Sequence, residues 1–386
     1  MPMNRLTFFL VLAASCSSYA QTSLPLQTML GLAKGPTLQS CPQCSEPQPP
    51  AIISPAAGSF KFKDVDKNAL SSVVAGRFDN IASSKSTLSL IVIQGDSLVY
   101  EQYGNGVTKD NQLLSLSMAK SLISVLIGRA LCDGKIASIS DKAEKYAKEL
   151  EGTAYGAAAI KSLLTMSSGA DPGDGTAGEA VKGDAGRWAF GVTSQSDTLK
   201  KFSGYKNTMF GKSKEGDWFY KNMDVYALSL VLQGAYEMDL PPISQEQLWK
   251  VIGAESQASW ILDKQKQPIV SSFYLATSRD WGRVARYLID TLSPESANAC
   301  MKGYLQDATK MSQKTDGVLG FDGYGYLFWT DYRKDASKKI FWLRGFAGQM
   351  VGIDVRTKSA MVLQSLDYSK FSDAANTFSD WVNSQK

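Results

Sequence analysis

The chain has 386 residues, 44% apolar and 20% charged, which supports a sizeable core and excludes a disordered chain, a collagen or a disulfide-dense miniprotein. With 41 basic against 37 acidic side chains the net charge is +4, the lysines lie scattered, and nucleic-acid binding has no footprint. Histidine is absent, which rules out Ser-His-Asp and Cys-His sites, histidine-ligated zinc and a histidine general base.

In chain order, residues 1–5 form a short basic segment, 6–14 an apolar run, and Ser18-Tyr19-Ala20 a small-x-small cleavage site, so residues 1–20 read as a secretory signal peptide. The run is too short to span a bilayer, and no later run is long enough without charge, so no transmembrane segment is expected. Ala13-Ala14-Ser15-Cys16 loosely resembles a lipobox and leaves a lipid anchor at Cys16 as the lesser alternative. The protein is therefore expected to be exported, periplasmic or secreted, with an outer-membrane lipoprotein as the second choice. Residues 21–58 hold Pro25, Pro36, Pro42, Pro47, Pro49, Pro50 and Pro55 and read as a linker or arm. Within it, Cys41-Pro-Gln-Cys44 has no βαβ pattern around it, so a local disulfide or two idle thiols is expected rather than a redox motif. Cys132 ends an apolar helical pattern and reads as a small buried hydrophobe; spacing alone does not say whether it meets Cys300.

Folded sequence follows, over 59–386. Residues 88–93 and 97–100, around Gly95-Asp96, predict a β-hairpin. Apolar spacing predicts helices over 117–131, 158–166, 224–236 and 279–292. Short aromatic or β-branched runs predict strands over 324–330, 339–343, 350–354 and 360–364. A sheet begun early and finished late implies two lobes with a cleft between them: a sheet lobe of about 59–110 and 265–386, and an inserted, mainly helical lobe of about 111–264.

Without histidine, a nucleophile has to be activated otherwise, and serine beside lysine is the available pair. Ser-x-x-Lys occurs at Ser117–Lys120 and at Ser203–Lys206. The first opens the apolar helix, where positions three apart share a face; the second lies in a basic, loop-like stretch. A solvated lysine, with a pKa near ~10.4, is almost wholly charged at neutral pH, so Lys120 can act as a base only if burial and the helix N-terminus depress it. A lysine snorkelling to solvent is the competing reading. Tyr-x-Asn occurs at Tyr103, Tyr205 and Tyr220. Tyr220 and Asn222 stand at a helix entrance; Tyr205 lies among lysines and Tyr103 in a Gly-rich turn. Arg344-Gly-Phe-Ala-Gly-Gln349 joins two late strands, and its glycines allow close backbone approach to a ligand. A plain hairpin turn is the alternative.

In this order the three elements resemble the penicillin-recognising serine hydrolases: class C β-lactamases, DD-peptidases, related esterases and, most of all, the 6-aminohexanoate-dimer hydrolase branch. Further matching blocks are 133–141, 160–169, 216–222 and 323–329, so the resemblance runs from about residue 60 to the C-terminus. It implies an α/β fold of the α+β type, a β-lactamase/DD-peptidase-like antiparallel sheet flanked by helices, and no cofactor or metal. It implies Ser117 as acylated nucleophile, Lys120 as base and Tyr220 as proton shuttle. Asn222 would orient substrate or Lys120, and the hairpin of Gly348 and Gln349 would supply an oxyanion N–H beside that of Ser117. The strand motif departs from the family's Lys-Thr-Gly: Phe346-Ala347-Gly348 stands there, and Arg344 replaces the cation only if it faces the cleft. The expected activity is hydrolysis of a small amide or ester. A penicillin-binding DD-peptidase or weak β-lactamase, and a catalytically silent envelope binding module, are the alternatives. Trp188, Arg344 and Phe346 are possible substrate contacts; Asp171, Asp174 and Glu179 more plausibly face solvent. Oligomeric state is not legible.

Overall fold

The computed structural model describes residues 48–63, 69–172, 184–189 and 191–385. The signal peptide, Cys16, Cys41, Cys44, Asp174 and Glu179 lie outside them. Strands β1 (Ala51–Ile53), β2 (Thr87–Gln94), β3 (Ser97–Tyr103) and β4 (Leu113–Leu114) come first. A small hairpin, β5 (Asn207–Thr208) and β6 (Gly211–Lys212), and then β7 (Ala258–Trp260) and β8 (Tyr274–Ala276) follow. The late strands are β9 (Gln313–Lys314), β10 (Phe321–Tyr324), β11 (Trp329–Tyr332), β12 (Phe341–Arg344), β13 (Met350–Asp354) and β14 (Ser359–Ser365). The main helices are α1 (Ser72–Ala82), α2 (Ala119–Cys132), α3 (Ile160–Leu164), α4 (Met223–Tyr236), α5 (Ser278–Leu292), α6 (Ala299–Ala308) and α7 (Phe371–Ser384).

An eight-stranded antiparallel sheet has the order β3-β2-β14-β13-β12-β11-β10-β9. The early hairpin turns at Gly95, as the sequence predicts, and β14 closes against β2. Strand β2 reads Thr-Leu-Ser-Leu-Ile-Val-Ile-Gln and is buried on both faces, which explains its near-continuous apolar run. Alternate residues face alternate layers. Ser89 bonds Ser278 at the start of α5 and Ile91 packs at Gly282 of the same helix. On the other face, Val92 pairs in register with Tyr100, whose ring meets Phe78 of α1. The sheet is thus a layer between α5 on one side and α1, with its neighbour α7, on the other.

Helices α2, α3 and α4 pack together as the helical region. A second antiparallel sheet, β1-β7-β8-β4, brings residues from far apart in the chain to the strand that leads into Ser117. Ala51–Ile53, which the sequence reading leaves within the arm, is therefore a paired strand. Cys132 corrects another expectation: it forms a disulfide with Cys300, tying the end of α2 to α6 across 168 residues.

The strand expected over 324–330 is in fact two strands and a reversal. Gly325 sits against the Ala308 carbonyl, where a Cβ would come within 2.1 Å, and Leu327 takes a positive φ of 62°. The reversal docks into the helical region: Leu327 N–H donates to Leu164 O at 2.9 Å and the Ser121 hydroxyl to Leu327 O at 2.6 Å. Helix 158–166 shortens to Ile160–Leu164, with Met166 at φ 56° ending it.

Candidate active site

Ser117 does not sit in regular helix. It lies in a 3-10 turn, Leu116–Met118, immediately before α2. Leu116 has a φ of 46° and is buried, a left-handed conformation that costs a non-glycine residue about 1–3 kcal/mol and persists only where the surroundings enforce it. Ser115 N–H donates to Tyr274 O at 2.8 Å, fixing the turn to β8. The strained residue aims the serine at the junction of the sheet and the helical region.

Lys120, one turn on, is 1% exposed. Its Nζ lies 3.0 Å from Ser117 Oγ and donates to Ser271 O at 2.6 Å. None of the described ion pairs includes it, and burial holds its amine well below the usual lysine range. The positive end of α2 acts in the same direction. A neutral amine here keeps one N–H on Ser271 O and turns its lone pair toward the Ser117 hydroxyl. The snorkelling alternative is excluded by this burial.

Tyr220 completes the cluster. Its ring centre is 5.1 Å from Lys120 Nζ and its hydroxyl is within hydrogen-bonding reach of Ser117. Burial pushes its phenol up to about 12, against the Ser117 hydrogen bond and the Arg344 charge, which pull it down. Tyr220 thus remains protonated at neutral pH. Trp329 and Tyr324 wall its ring at 5.6 and 6.1 Å.

The loop carrying Tyr220 is held from below by residues that sequence reading did not single out. Phe219 N–H donates to Met166 O at 2.8 Å and Gly216 N–H to Ser167 O at 2.7 Å. Lys221, 1% exposed, donates to Ser168 Oγ at 2.9 Å and lies 3.7 Å from the carboxylate of Asp224, which is fully buried. Ser168 in turn donates to Asp224 Oδ1 at 2.6 Å. Burial pushes the Asp224 carboxyl up to about 6, partly countered by Lys221 and Ser168. A lysine between Tyr220 and Asn222 reads as a surface residue in sequence. Only the helical spacing of Lys221 and Asp224, three apart, hinted at a pair.

Asn222 enters α4 with helical φ/ψ of −78° and −32° and does not cap it. Among the described residues no hydrogen bond joins its side chain to Lys120. Trp188 overturns its expectation: it is fully buried, its indole N–H donating to Thr198 Oγ1 at 3.0 Å, so it is core rather than cleft. Arg344 is buried in an aromatic nest, 4.5 Å from the Phe371 ring centre and 5.4 Å from that of Tyr368. Phe346 stays half-buried against Tyr368. Asp171 is half-buried, its N–H bonded to Gly204 O.

The 345–349 hairpin meets the serine turn directly. A Cβ on Gly345 would lie 2.6 Å from Ser115 O, 2.9 Å from Gln349 Cβ and 3.2 Å from Ser117 N. Gly348, expected to admit a ligand, instead admits the Asp367 carbonyl, 2.5 Å from its would-be Cβ, at φ 83°. The Gln349 side chain is fully buried and structural: its amide donates to Ser365 O, and its Oε1 accepts from Ser365 N at 3.2 Å. Its backbone N–H makes a long bond, 3.4 Å, to Phe346 O. Gly345→Ala is expected to displace the Ser117 turn, cutting kcat about 10- to 100-fold and costing about 1–3 kcal/mol of stability from the clash; steady-state kinetics on an activated ester and thermal unfolding check this.

A buried lysine beside a serine at a strained turn, walled by an antiparallel sheet, defines a serine hydrolase, and the chain belongs to the Beta-lactamase family, whose model matches residues 78–378. It is 22% identical over 288 residues to the 6-aminohexanoate-dimer hydrolase of Paenarthrobacter ureafaciens, covering 72% of this chain and 71% of that one. Among solved structures it is similar to a protein described as a 6-aminohexanoate-dimer hydrolase from Bacillus anthracis, with a TM-score of 0.68 at 18% identity over 87% of this chain and 90% of the other. It is also similar to a class C beta-lactamase from Rhodobacter sphaeroides, TM-score 0.60 at 13% identity over 81% and 99%. These similarities agree with the β-lactamase/DD-peptidase-like fold expected from the sequence.

Proposed function

We propose that the protein is an exported hydrolase that cleaves a small amide or ester through an acyl-enzyme on Ser117. The observation that carries this reading is the 3.0 Å approach to Ser117 Oγ of a buried Lys120 that joins no ion pair among the described residues. In the proposed sequence neutral Lys120 takes the hydroxyl proton as Oγ attacks the substrate carbonyl carbon. The resulting oxyanion lies against the N–H groups of Ser117 and Gln349, the latter exchanging its long bond to Phe346 O for a charged acceptor. Tyr220 gives its proton to the leaving nitrogen or oxygen as the C–N or C–O bond breaks, and the Lys120 ammonium restores it. Water then attacks the acyl carbon, giving a proton to neutral Lys120; the C–Oγ bond breaks, that proton passes to Ser117 Oγ, and the acid is released with serine and lysine restored. Export is supported by the N-terminal segment and by the Cys132–Cys300 disulfide, since such bonds persist in oxidising compartments.

The test is intact mass and peptide mapping after brief incubation with p-nitrophenyl acetate and, separately, with a penicillin. An acetyl group on Ser117 that turns over is expected. A long-lived penicilloyl adduct would instead establish the penicillin-binding alternative, which lacks the strand lysine and whose candidate cation, Arg344, is buried among aromatic rings. No adduct from either would leave the silent binding module.

The pH dependence follows from Lys120. Its neutral form is the base, so the rate falls as pH drops through its depressed pKa and is flat above it until Tyr220, the proton donor, deprotonates at about 12. The acid limb of kcat/KM is expected well below the ordinary lysine value. Lys120→Arg, which cannot deprotonate, is expected to remove turnover across the whole range; a pH–rate profile showing ordinary lysine titration would contradict the assignment.

A further inference from the structure

The second Ser-x-x-Lys and Tyr-x-Asn matches, at 203–207, have no part in the site, yet they lead into the most exposed apolar feature among the described residues. Strands β5 and β6 form a two-stranded hairpin whose turn residues, Met209 and Phe210, are 76% and 96% exposed. The tip is ordered rather than slack: the Thr208 hydroxyl donates to Gly211 O at 2.9 Å and accepts from Phe210 N at 3.3 Å. The base is fastened too, with Ser213 N–H on Lys206 O at 2.8 Å and Lys206 N–H on Gly169 O at 3.1 Å. Two large apolar side chains are thus held out into solvent at a fixed place.

Charge is concentrated on the same span. Residues 200–214 contain Lys200, Lys201, Lys206, Lys212 and Lys214 and no acid, whereas the whole chain is net +4, leaving −1 for the remainder. Lys200, Lys212 and Lys214 are exposed. The nearest following acid, Glu215, is engaged by the Ser162 hydroxyl at 2.6 Å and Ala159 N–H at 2.9 Å. Lys206 instead lies over the Phe219 ring, 3.2 Å from its centre. A convex apolar tip in a stretch, 197–217, where five lysines outnumber Asp197, Glu215 and Asp217 matches a surface that is soft, apolar beneath and anionic above.

We propose that the Met209-Phe210 tip and the lysines at 200, 212 and 214 dock the protein onto anionic phospholipid bilayers, with the two apolar side chains at headgroup depth. This inference is independent of the reaction assigned to Ser117.

The test is cosedimentation of the purified full chain with phosphatidylglycerol-containing vesicles and with phosphatidylcholine-only vesicles, at low and at physiological salt. Binding to the anionic vesicles, weakened by salt, is expected. The exposed-tip variant M209S/F210S is expected to lower the partition coefficient about tenfold or more. Neutralising K212Q/K214Q is expected to lower it about fivefold per lysine. Circular dichroism and thermal unfolding serve as fold controls for both variants. Equal binding to both vesicle types, no binding, or binding undiminished in folded M209S/F210S would overturn the proposal. Self-association that M209S/F210S abolishes, without vesicle binding, would overturn it in favour of a contact between copies.

Discussion

Ser117→Ala is expected to reduce acyl-transfer turnover by on the order of 10^4- to 10^6-fold, the scale seen when the nucleophile of a serine hydrolase is removed. The loss should fall on kcat, because removing one hydroxyl leaves the surrounding backbone and side chains in place. Stability should change little. Ser117 Oγ contributes one hydrogen bond to Lys120, and Lys120 keeps its bond to Ser271 O. Single-turnover mass spectrometry and steady-state kinetics on the pure variant decide the matter; substantial residual turnover would place the nucleophile elsewhere.

The largest stability effect is expected at Asp224. Asp224→Ala leaves the Lys221 ammonium in the interior without its carboxylate, a change that costs about 3–5 kcal/mol when a buried pair loses one partner. The double variant Lys221→Met with Asp224→Leu should recover most of that loss, because it removes both charges together. Urea unfolding of the three proteins reads this directly. Linkage adds a second readout. Burial raises the carboxyl from 3.8 to about 6, so the native chain binds a proton in a range where the unfolded chain has released it. The stability contributed by that protonation is fully present below pH 3.8 and is lost as pH rises through about 6. Asp224→Asn should flatten this component of the profile.

These expectations show what was legible in the sequence. Ser117 and Lys120 are local: three residues apart, they share a face across the 3-10 turn that runs into α2, whereas the strained Leu116 and the burial of Lys120 needed the fold. Tyr220 was selected by its place at a helix entrance, and it does meet Lys120. The Lys221–Asp224–Ser168 network was not legible, because Ser168 lies in another segment and the polar letters of Lys221 and Asp224 carry no sign of full burial. Trp188 failed for the converse reason. A tryptophan in a loop-rich stretch fits a cleft or a core equally well, and the partner that satisfies its N–H, Thr198, is ten residues away.

Secondary structure divides along the same line. The early hairpin and β13 were legible because their patterns have no competitor. The reversal inside 324–330 was hidden in an uninterrupted aromatic run, since the contact of Gly325 with Ala308 that forces it is tertiary. By contrast α7 carries its buried Phe371, Ala374, Ala375, Phe378, Trp381 and Val382 at helical spacing, a pattern that local sequence alone contains.

The pairing of β2 with β14 sets a timetable for folding. Ser89 and Gln364 are 275 residues apart and adjacent in the finished sheet. At synthesis rates of about 5–20 residues per second, β2 waits on the order of 14–55 s for its neighbour to be made. Until then a largely apolar strand has one edge without its native partner. Through most of its synthesis the nascent chain therefore carries a strand edge open to wrong pairing, and any truncation before residue 359 removes the native partner of that edge.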